Sequence, residues 1–92
     1  MVSCVVVIAP IGTRWAQQAE SALADHRTIV ARLFEPSTLG LLVNAGGVRA
    51  IAIDGVLARN HARELGRLDG VRVVVLDEWS DTALRELLGG ST

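Results

Sequence analysis

Ninety-two residues, half of them apolar, make one domain with a single core and leave no room for a second. The formal net charge is −1 and all nine cationic residues are Arg, which does not predict a strong general affinity for nucleic acid. Only Trp15, Phe34 and Trp79 are aromatic, so Val, Leu, Ile and Ala must build the core, the profile of a helix-covered sheet rather than a β-sandwich.

The chain begins with an apolar run, Ser3–Ala9, read as the first strand. Its Cys4–Ala9 core lacks a basic leader and is too short to cross a bilayer, so no membrane association is expected and the cytoplasm is the expected compartment. Cys4 has no second cysteine to pair with, and its Val-rich surroundings predict a buried, inert thiol. A helix follows from about Arg14 to Asp25, entered through Gly12 and Thr13, with Trp15, Ala19, Ala22 and Leu23 on one face. Trp15 reads as a core or interface anchor.

Thr28–Phe34 is the second strand. A short helix then opens at Ser37 after Pro36 and closes at Gly46-Gly47, turning Leu39, Leu42 and Val43 inward and weakened by Gly40. Val48–Ile53 is the third strand, with Asp54 at its end as the N-cap of a helix that buries Val56, Leu57, Leu65 and Leu68 before a turn at Asp69-Gly70. Val71–Leu76 is the fourth strand. The last helix, capped by Ser80 or Asp81, buries Leu84, Leu87 and Leu88 and ends at Gly89-Gly90.

This β-α alternation predicts a small four-stranded parallel sheet with helices on both faces, in a flavodoxin-like or resolvase-like three-layer arrangement. Its outer strands carry unpaired backbone groups that need cover. A homo-oligomer or a protein partner is expected to supply it, with Trp15, Trp79 and Arg63 as the interface candidates.

In a parallel sheet the carboxyl ends of the strands share one edge. Asp54, Asp77, Glu78 and Asp81 fall there, with Glu35 at the end of the second strand. Asp54, Asp77 and Glu78 form a candidate oxygen site for Mg²⁺, against which stands simple helix capping, and the first strand ends in Ala9-Pro10-Ile11-Gly12 with no acid. The Gly12-Thr13 turn lacks the Gly-rich patterns of nucleotide-binding loops. His26 and His61 sit in no motif and read as surface or packing residues. Arg59, Arg63 and Arg67 form an i, i+4, i+8 stripe, a spacing common on solvated helix faces.

Several segments together resemble the N-terminal catalytic domain of serine recombinases, the resolvase and invertase family. They are Leu33-Phe34-Glu35, Leu41-Leu42, Val48–Ile53, Leu57-Ala58-Arg59-Asn60, and Gly70–Glu78 followed by Asp81-Thr82. In that family a serine at the end of strand one attacks a DNA phosphodiester within an Arg-Val-Ser-Thr motif. The counterpart here is Pro10-Ile11-Gly12-Thr13, which puts Gly12 at the nucleophile's position, and without a hydroxyl the covalent route is closed. The family's Asp-Arg-Leu-x-Arg motif survives only in Arg59. Thr13, Arg14 and Arg59 are then the residual phosphate-contact candidates.

The resemblance implies the scaffold without the reaction: a catalytically inactive module acting through protein association, in a DNA-linked or mobile-element setting, with no cofactor. The competing expectation is a receiver-like or Mg²⁺-dependent switch centred on Asp54. Receiver domains, however, need an acidic pair after strand one and a Lys on a fifth strand, and neither is present.

Overall fold

The computed structural model describes residues 4–68 and 71–88. It shows nine elements: β1 (Cys4–Ile8), α1 (Arg14–Ala22), β2 (Arg27–Ala31), α2 (Pro36–Asn44), β3 (Val48–Asp54), α3 (Gly55–Asn60), α4 (Ala62–Gly66), β4 (Arg72–Leu76) and α5 (Asp81–Leu88). The four strands form one sheet in the order β2-β1-β3-β4, with every pairing parallel. This is the expected four-stranded parallel α/β architecture, and its strand order reverses direction at β1.

Strand alternation divides the core in two. Val5 and Val7 of β1, Ala50 and Ala52 of β3, and Val74 and Leu76 of β4 join Trp15, Ala16, Ala19 and Leu23 from the α1 side and Ala83 and Leu87 of α5. On the other face, Cys4, Val6 and Ile8 join Ile51 and Ile53, closed by Phe34, Leu39 of α2 and Ala58 of α3, with Leu65 of α4 packed against them. Alanine on the α1/α5 face lets those helices lie close to the sheet and leaves room for the Trp15 indole. β1 is buried along its whole length, as a strand covered on both faces must be.

Between β1 and β3 the register slips by one residue: Cys4 pairs with Val48, but Val5 pairs with Ala50. Arg49 is the extra residue of this bulge, and its guanidinium donates a hydrogen bond to the Leu88 carbonyl at the end of α5. A cation thus meets the carbonyl end of a helix, where the helix dipole favours it.

The local boundaries differ from expectation in instructive ways. β2 stops at Ala31 rather than Phe34, and α1 stops at Ala22, where Leu23 closes it. α2 starts one residue early because Pro36, with its fixed φ, takes the first helical turn. Ser80 is the cap of α5, its hydroxyl accepting from the Ala83 amide at 3.2 Å. The expected turns at Asp69-Gly70 and Gly89-Gly90 lie outside the described residues.

The largest departure is the expected long helix after β3. It is two short ones, α3 and α4, broken at His61 with φ −126°. The His61 ring lies against Phe34, with centroids 4.6 Å apart. Val56, expected in the core, is 58% exposed instead: α3 turns Gly55 and Ala58 inward, and Val56, about 100° round the helix from Gly55, falls on its outer face. No described helix is long and apolar enough to cross a membrane.

Candidate functional site

In an open parallel sheet the crevice for ligands forms at the carboxyl edge, where the strand order reverses. Here that point lies between β1 and β3, and a cavity of about 350 Å³ opens there. It is lined by Thr13, Arg14, Trp15, Gln18, Asp54, Asp77 and Glu78. Six of the residues singled out in the sequence, Thr13, Arg14, Trp15, Asp54, Asp77 and Glu78, are thereby brought together.

The floor of the cleft is fixed by the β1–α1 turn. Gly12 has φ +90°, a left-handed value, and the Thr13 amide closes the turn onto the Pro10 carbonyl at 3.2 Å. The Thr13 hydroxyl donates to the same carbonyl at 2.8 Å and makes no cap to α1. Gly12 is therefore a turn glycine, and the hydroxyl of its neighbour Thr13 is already engaged.

Asp54 ends β3 and caps α3, one carboxylate oxygen accepting from the Val56 amide at 3.2 Å. Its other oxygen accepts from the Trp15 indole N–H at 3.3 Å, tying β3 to α1. Both oxygens thus carry structural bonds, and the indole that supplies one of them is only 2% exposed. Asp77, one residue past β4, leans over the start of α3: a Cβ on Gly55 would collide with its carboxylate. Glu78 is exposed at the rim.

Among the described residues, no group of three or more His, Cys, Asp or Glu side chains is placed to hold a metal ion together. The cleft offers carboxylates opposite one guanidinium, a surface suited to a small cationic or hydrogen-bonding ligand rather than to a phosphate. Arg59 does not line it. Arg59, Arg63 and Arg67 do not form one stripe either, since the break at His61 puts Arg59 on α3, Arg63 on α4 and Arg67 at the cap beyond α4.

The interface candidates separate just as clearly. Trp15 lies inside the core, Trp79 is half-buried against the α1/α5 cluster, and Arg63 is exposed. An open apolar groove lies elsewhere, where α2 leaves β2 partly uncovered. A groove of about 140 Å³ there is lined by Val6, Ile8, Ile29, Ala31, Leu33, Glu35, Thr38, Leu39 and Leu42. Ile29 is 38% and Leu33 71% exposed. Glu35 is held at the groove by the Thr38 hydroxyl, which donates to its carboxylate at 3.2 Å. Sequence reading placed Glu35 and Leu33 at the end of β2 without seeing this groove. The signal was present in Ile29 and Ala31, alternate residues of an edge strand, with Leu33 just beyond its end.

No protein-family model, curated protein or solved structure matches the chain.

Proposed function

We propose that this protein is a protein-association module that works through the apolar surface between β2 and α2 and carries no covalent chemistry of its own. The observation that carries this reading is the groove at β2, an edge strand where Ile29, and Leu33 just past the strand's end, stand open to solvent. Apolar side chains clustered along a sheet edge gain free energy when a protein surface covers them, about 25 cal/mol per Å² removed from water. The resemblance to serine recombinases adds a DNA-linked setting to the proposal. With Gly12 at the nucleophile's position, association rather than strand cleavage is the activity carried over.

Native mass spectrometry and sedimentation of the protein isolated from its own cells test the reading. The expected result is an assembly of defined stoichiometry that Leu33→Ser weakens while leaving the circular dichroism spectrum unchanged. A protein recovered only as a monomer would refute it.

A second reading draws on the cleft at the strand-order reversal, whose volume and mixed polar lining fit a small cationic ligand or a hydrated Mg²⁺ ion. Calorimetry with Mg²⁺ decides it: specific binding abolished by Asp77→Asn supports a ligand-operated switch, and silent titrations remove it.

A further inference from the structure

We draw no further inference here: the strongest candidate, the apolar groove between β2 and α2, already carries the association reading, and nothing in the structure shows what covers it.

Discussion

At the scale of single residues, Asp54 illustrates how one acid can be committed to structure. It accepts from the Val56 amide with one oxygen and from the Trp15 indole with the other. Removing it leaves a helix start uncapped and a nearly buried indole N–H without its partner. Asp54→Ala is therefore expected to cost about 1–2 kcal/mol in urea unfolding. Asp54→Asn keeps acceptor capacity on its amide oxygen and should cost less. If the two variants unfold alike to wild type, the carboxylate is not a tie. Gly12 poses the complementary case. Nothing lies within 4 Å of where its Cβ would be, so the only penalty for a side chain is its φ of +90°. Gly12→Ala and Gly12→Ser should each lose about 1 kcal/mol. Equal losses would show that the added hydroxyl finds no useful partner in this turn.

At the scale of elements, the strands were legible because four short β-branched runs have no other economical structure, and helices between them require a parallel sheet. Asp54 as a cap was legible for the same local reason, an acid placed between a strand and a helix. The break at His61 was not legible. No proline or glycine marks it, and the periodicity of Val56, Leu57, Leu65 and Leu68 is compatible with one continuous helix. The interruption accompanies a tertiary contact, the packing of His61 on Phe34 from a segment 27 residues earlier in the chain. The cleft was legible only as a shared edge; that the Trp15 indole reaches Asp54 follows from how α1 crosses the sheet. The exposure of Val56 makes a sharp prediction. Val56→Ser should change stability by less than about 0.5 kcal/mol, the range of ordinary surface substitutions. Ile51→Ala, at a fully buried position, should cost about 2–5 kcal/mol. Comparable losses for both would place Val56 in the core after all.

At the scale of the whole molecule, the sheet has a stable interior and two unequal edges. β1 and β3 sit in the middle of the order, and their inner positions are almost completely buried from both sides. β2 and β4 each have one neighbour and a mixed burial pattern. Val75 on β4 is 54% exposed, and Ile29 on β2 is 38% exposed beside the groove under α2. Amide hydrogen exchange separates what the fold itself protects from what association protects. In dilute protein, β1 and β3 should exchange only through global unfolding, and both edges should exchange faster. Assembly through the β2 groove should then slow β2 selectively, because cover there removes its outward amides from water, and should leave β4 unchanged. Equal slowing of both edges would mean that stability had risen as a whole through some other contact. No slowing at β2 would mean that its edge stays open to solvent.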